Sequence, residues 1–171
     1  GSVDFIKMKW IKHAPIYQLA SSAMNTVFVS FDYEKDKHYK YLLEAWHANP
    51  RFRFVFDDGT PTEIDSYNVG RIKAALTLKV KAATHTLVIV GANANDRHRN
   101  SGLIGHRNWI NFEINQSIAN SKRIAIVMLN PHNTLPEALS NVRHSVARSF
   151  SQDDIIRALD EAPLPTLTRY A

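Results

Sequence analysis

Three short runs dominated by β-branched and aliphatic residues, Thr26–Phe31, Thr86–Gly91 and Arg123–Leu129, are separated by stretches with helical spacing of apolar side chains. Unbroken apolar runs of this length fit strands covered on both faces, and strands that alternate with helices fit a parallel sheet. Asp36 is placed to cap a helix running to about Ala48 that carries Tyr39, Leu42, Leu43 and Trp46, and Asn49-Pro50 ends it. Phe52–Phe56 reads as the second strand, followed by the turn-forming Asp57-Asp-Gly-Thr-Pro61. Ser66 is placed to cap a helix carrying Val69, Ile72, Leu76 and Val80. The fold class that follows is α/β, a doubly wound parallel sheet flanked by helices on both faces, with strand order 2-1-3-4-5. After Asn130-Pro131 the pattern weakens: Leu135–Val142 reads as a short helix and Asp153–Glu161 as a last one, capped by Ser151.

In that topology ligands sit outside the carboxyl ends of the strands, at the switch point between the first strand and the third. The first strand ends there in Ser30-Phe31-Asp32. The third leads through a long polar loop, Ala92–Gly105, into a helix predicted over His106–Ile118. In this helix Ile110, Ile114 and Ile118 form one apolar stripe, with Trp109 and Glu113 one turn apart on its flank. A carboxylate so placed is half desolvated, which raises its pKa and suits it to reactive chemistry. On helix geometry alone, a surface glutamate that borders the core is the favoured alternative.

The length of 171 residues fits one domain, here taken as 24–162, with an N-terminal extension 1–23 and a tail 163–171. Gly1-Ser2 reads as a cloning remnant, and the extension as partly foreign to the natural chain. No apolar run is long enough for a membrane span, and the absence of cysteine rules out disulfides and thiolate metal sites and fits a cytoplasmic protein. The net charge of +5 favours anionic partners without demanding nucleic acid; the densest basic cluster is Arg97, Arg99 and Arg107. Phosphate-binding loop, dinucleotide fingerprint, phosphoacceptor aspartate after the third strand and nucleophile elbow are all missing. The eight histidines form no metal-ligand pattern, and none is assigned to a metal. A single carboxylate suits a glycosidic bond whose leaving group departs unaided, such as the bond to nicotinamide in NAD⁺, where the pyridinium leaves neutral.

The stretches NTVFVSFDYEKDKHYKYLLEAW, IDSYNVGRIKAAL, TLVIVGANA and RNWINFEINQSIANSKRIAIVML resemble the TIR-like domains of bacterial antiphage systems, above all the Thoeris sensors called ThsB. The resemblance runs from about Met24 to Asn130 and is strongest at Ser30-Phe-Asp-Tyr33 and at Trp109–Ile118. It implies a flavodoxin-like fold and cleavage of NAD⁺ as substrate, with no other cofactor. It further implies a cyclic ADP-ribose-type messenger that activates a partner effector. By the same resemblance Glu113 is catalytic, Trp109 lines the cleft, and Phe31, Asp32 and Asp57 border the substrate. A non-catalytic interaction module that self-associates is the rival class, because the fold does not settle function.

Overall fold

A computed structural model of the chain describes residues 25–46, 49–50, 52–58 and 68–166. The N-terminal extension, the Ser66 cap, most of the turn after Asp57 and the end of the tail lie outside the described residues. The strands are β1 (Thr26–Ser30), β2 (Val55–Asp58), β3 (His85–Val90), β4 (Arg123–Met128) and β5 (Ser145–Ala147). They form one sheet of order β2-β1-β3-β4-β5, and every pairing is parallel. The helices are α1 (Tyr33–Trp46), α2 (Val69–Ala82), the single turn α3 (Ser101–Ile104), α4 (Trp109–Ala119) and α5 (Gln152–Glu161).

Alternation along each strand sorts the core into two layers. Val27, Val29 and Phe31 join Leu87, Ile89, Ala125 and Val127 against Leu43 of α1 and Ile155, Ala158 and Leu159 of α5. On the opposite face Phe28 packs with Ile72, Leu76 and Val80 of α2 and Phe112 of α4, while Val88, Val90, Ile124 and Ile126 meet Ile110 and Ile114 of α4. Helix α4 is therefore central to one layer, between α2 and the segment that follows β4.

Several boundaries differ from those expected. Helix α1 is capped by Asp32, not Asp36: Asp32 Oδ1 accepts from the amides of Glu34 at 3.0 Å and Lys35 at 3.2 Å. Asp32 follows the strand directly, so it meets the first free amides of the helix, whereas Asp36 is already inside the first turn and is buried. The second strand begins later, at Val55, whose amide donates to Asn25 O at 2.9 Å; Phe52 and Phe54 are buried ahead of the strand ladder. Helix α4 starts at Trp109, where Asn108 caps it, and Leu135–Val142 holds only a 3₁₀ turn at Glu137–Leu139. Strand β5 was not legible at all, since three residues are too few to show a period. The Ser151 cap of α5 is present. Pro163 O accepts from Ile124 N at 3.3 Å, so the start of the expected tail is held against the sheet. Replacing Asp32 by Ala should cost about 1 kcal/mol, read as a lower urea midpoint at unchanged slope.

Candidate functional site at the ends of β1 and β3

The site begins with Ser30, the last residue of β1, which pairs in register with Val88. Its position in the strand turns its side chain to the α2/α4 face, the same face as Phe28. Opposite it, Glu113 comes from the middle of α4, where Ile110, Asn111, Phe112, Glu113 and Ile114 are all buried. Glu113 is only 3% exposed, far beyond the half-desolvated setting that a single apolar stripe predicts. The difference comes from α4 packing on two core clusters at once, with Glu113 in the seam between them.

Burial pushes the Glu113 carboxyl well above its ordinary 4.5, opposed in part by the Ser30 hydroxyl beside it. That contact falls short of ordinary hydrogen-bond geometry, and Ser30 Oγ and Glu113 Oε2 are both left unpaired. Buried side-chain oxygens without partners are uncommon in folded proteins. Among the described residues there are three: these two and Asp36 Oδ2. Ser30 ends β1, Asp36 lies in the first turn of α1, and Glu113 lies within α4. Asp36 rests on Gly91, where an added Cβ would fall 2.2 Å from its Oδ2.

Trp109 stands one turn before Glu113 at the start of α4, half-buried, with its ring edge-on to Phe112 at 5.8 Å and to His98 at 6.5 Å. Lys73 of α2 lies 5.4 Å over the Phe112 ring, which places a cation on the same wall. Phe31 is 8% exposed and belongs to the core layer of α1 and α5, on the face away from Glu113, with Tyr33 at 6.2 Å. Asp32 is at the strand end but spends its Oδ1 on the cap of α1. Asp57 is held by Lys79 of α2 at 3.5 Å and pairs in register with Phe28, below the strand end. The structure thus brings Ser30 and Glu113 together, with Trp109 one turn earlier on α4 against Phe112 and His98, and leaves Phe31 and Asp57 facing elsewhere.

Spacing along the chain gave no hint of the polar weld that holds α4 in place. Asn108 Nδ2 donates to the carbonyls of Ala94 at 2.9 Å and Asp96 at 2.8 Å, and its Oδ1 accepts from Asn111 N at 2.9 Å. Asn111 Nδ2 donates to Asn108 Oδ1 at 2.9 Å and Asn95 Oδ1 at 3.2 Å, and its own Oδ1 accepts from Ala138 N at 2.9 Å. Asn95 Oδ1 also accepts from Glu137 N at 3.0 Å. Three asparagines therefore tie the loop after β3, the start of α4 and the 3₁₀ turn after β4. Arg107 joins them through the Asn95 carbonyl and lies 3.8 Å from Glu137, while Arg97 and Arg99 are exposed on the loop. Among the described residues no group of three histidine, aspartate or glutamate side chains is arranged to hold a metal ion, and no helix is long and apolar enough to cross a membrane.

The arrangement resembles solved structures of the same topology. A 2-deoxyribosyltransferase from the psychrotolerant bacterium Bacillus psychrosaccharolyticus superposes with a TM-score of 0.51 over 83% of this chain and 99% of its own, at 14% identity. That is a likeness of fold. No curated protein matches in sequence. The family of the Thoeris protein ThsB, TIR-like domain, matches residues 28–135, which run from within β1 to beyond β4 and include Ser30, Asp36, Trp109 and Glu113. With the parallel sheet and this match in agreement, the chain belongs to the ThsB TIR-like domain family of the Thoeris defence system.

Proposed function

We propose that the chain cleaves the bond between nicotinamide and ribose in NAD⁺ and forms a cyclic ADP-ribose-type product that signals to a separate effector protein in the cytoplasm. The observation that carries this reading is the Glu113 carboxyl, buried and unpaired beside Ser30 at the switch point of the sheet. A carboxylate with a free lone pair accepts hydrogen bonds from ribose hydroxyls and stabilises the positive charge that grows on the sugar as nicotinamide departs. In the free chain burial favours the protonated acid. The cationic pyridinium reverses that preference on arrival, since an opposite charge at short range favours the ionised form. The crevice is closed to solvent around Glu113 Oε2, so substrate enters by displacing what covers it. A water-poor site favours capture of the cation by an atom of the same molecule over hydrolysis.

Trp109 offers its face to the pyridinium ring, so Trp109→Ala should raise KM for NAD⁺ about tenfold, the effect of losing one cation–π contact of about 1.4 kcal/mol, with a smaller change in kcat. A pure interaction module would be expected to lock Glu113 into an ion pair, and among the described residues Glu113 has none. The test is chromatography with mass detection of NAD⁺ incubated with the purified chain, alone and with lysate from phage-infected cells. Nicotinamide together with a cyclic ADP-ribose mass supports the reading. ADP-ribose alone makes the chain a hydrolase, and untouched NAD⁺ under both conditions removes the enzymatic reading.

A further inference from the structure

The strand ends carry a second buried carboxyl, on the α1 face of the sheet, that the proposed reaction has not yet used. Asp36 is 8% exposed, and among the described residues neither of its oxygens has a hydrogen-bond partner. It belongs to the first turn of α1, the turn that Asp32 caps, and it lies against Gly91, the first residue beyond β3. Gly91 continues the alternation of Leu87 and Ile89 and so faces α1, whereas Ser30 and Glu113 lie on the α2/α4 side. The two unpaired carboxyls therefore flank the ends of β1 and β3 from opposite faces of the sheet. Only glycine at position 91 allows this, because any Cβ would overlap the carboxylate. A fold that merely needed to fill this space would hold an apolar side chain there, since an unpaired buried acid is destabilising.

We infer that Asp36 is the second acid–base group of this crevice, the acceptor of the proton released when a hydroxyl captures the ribosyl cation. The inference rests on the NAD⁺ reading above. The balance is simple. The bond from the anomeric carbon to the ring nitrogen breaks, and its electron pair leaves with neutral nicotinamide. A hydroxyl oxygen, of the same molecule or of water, forms the new bond to that carbon. Its proton passes to Asp36, which returns it to solvent after the product leaves. Glu113 stays occupied with the ribose hydroxyls throughout, so it is not free for this task. Burial and the neighbouring Asp32 both raise the affinity of Asp36 for a proton, which makes it a better acceptor than an exposed aspartate.

The two steps separate experimentally, because a cation that is not captured recombines with nicotinamide. NAD⁺ is incubated with the full chain and isotopically labelled nicotinamide, and label entering NAD⁺ is compared with net product. Asp36→Asn, of the same size and unable to take the proton, should raise the ratio of exchange to product about tenfold or more. Gly91→Ala, which displaces the carboxylate, should move the ratio in the same direction. Glu113→Gln should depress exchange and product together. Circular dichroism and thermal unfolding confirm that each variant is folded. An active wild type with an unchanged ratio in Asp36→Asn overturns the inference, as does parallel loss of exchange and product in that variant with NAD⁺ binding retained. A wild type that neither exchanges nor forms product overturns the NAD⁺ reading itself, and this role falls with it.

Discussion

Glu113→Gln should lower nicotinamide release from NAD⁺ by at least about 10²–10³-fold while the protein becomes more stable. Both effects have one origin. The carboxyl is 3% exposed, its Oε2 has no partner, and burial holds its pKa well above 4.5. A group whose folded pKa is raised binds its proton more tightly folded than unfolded. Its favourable contribution is complete below the unfolded value of about 4.5 and is lost as pH rises through the higher folded pKa. Glutamine does not titrate, so the stability gap between variant and wild type should be small at pH 4, widen with pH, and level off above the folded pKa. At neutral pH the variant should therefore melt above the wild type, and at pH 4 close to it. Thermal scans of both proteins from pH 4 to pH 8 read it directly, and parallel curves across that range would remove the claim. Activity has the opposite dependence, since only the ionised carboxylate accepts from the ribose hydroxyls. The acid limb of kcat/KM should therefore lie above the pH at which an ordinary glutamate titrates.

Asn111→Ala should destabilise the chain by about 2–4 kcal/mol, roughly 5–15 °C in Tm. Asn111 is 1% exposed and serves three partners, with the amide of Ala138 fixing which end of the carboxamide is the oxygen. Alanine strands that buried amide and leaves Asn95 and Asn108 each short of a donor. Asn111→Asp is the sharper control: it keeps the size and the acceptor for Ala138, but turns a second acceptor towards Asn95 Oδ1 and Asn108 Oδ1. It should be at least as destabilising as alanine. If Asp proved neutral by urea unfolding, the weld would be incidental. Because α4 carries both Trp109 and Glu113, loosening it should also lower turnover in whatever fraction remains folded.

Much of the fold could be read locally. The runs at Thr26–Phe31, Thr86–Gly91 and Arg123–Leu129 are covered on both faces, so they carry an unbroken apolar signal that needs no knowledge of their neighbours. The helix spacing of Ile110, Ile114 and Ile118 marks which side of α4 meets the sheet. The order 2-1-3-4-5 is the common one for a small doubly wound sheet, and the order observed matches it. The cap of α1 was misassigned because Asp32 and Asp36 are both competent caps, and which amides stand free depends on where β1 ends.

Four strands of the parallel sheet, and the helix that carries Trp109 and Glu113, are legible in the chain because each follows from periodicity, a short-range property that an element carries alone. Only the tertiary structure decided that Glu113 is sealed beside Ser30, that Asp36 lies unpaired against Gly91, and that Phe31 and Asp57 turn elsewhere. It also decided that Asn95, Asn108 and Asn111 close one network with the turn after β4. The reason is that burial and hydrogen-bond satisfaction are properties of what surrounds a side chain. Here the surroundings of Glu113 and Asp36 come from strands and helices far apart in the chain, so no local pattern could record them.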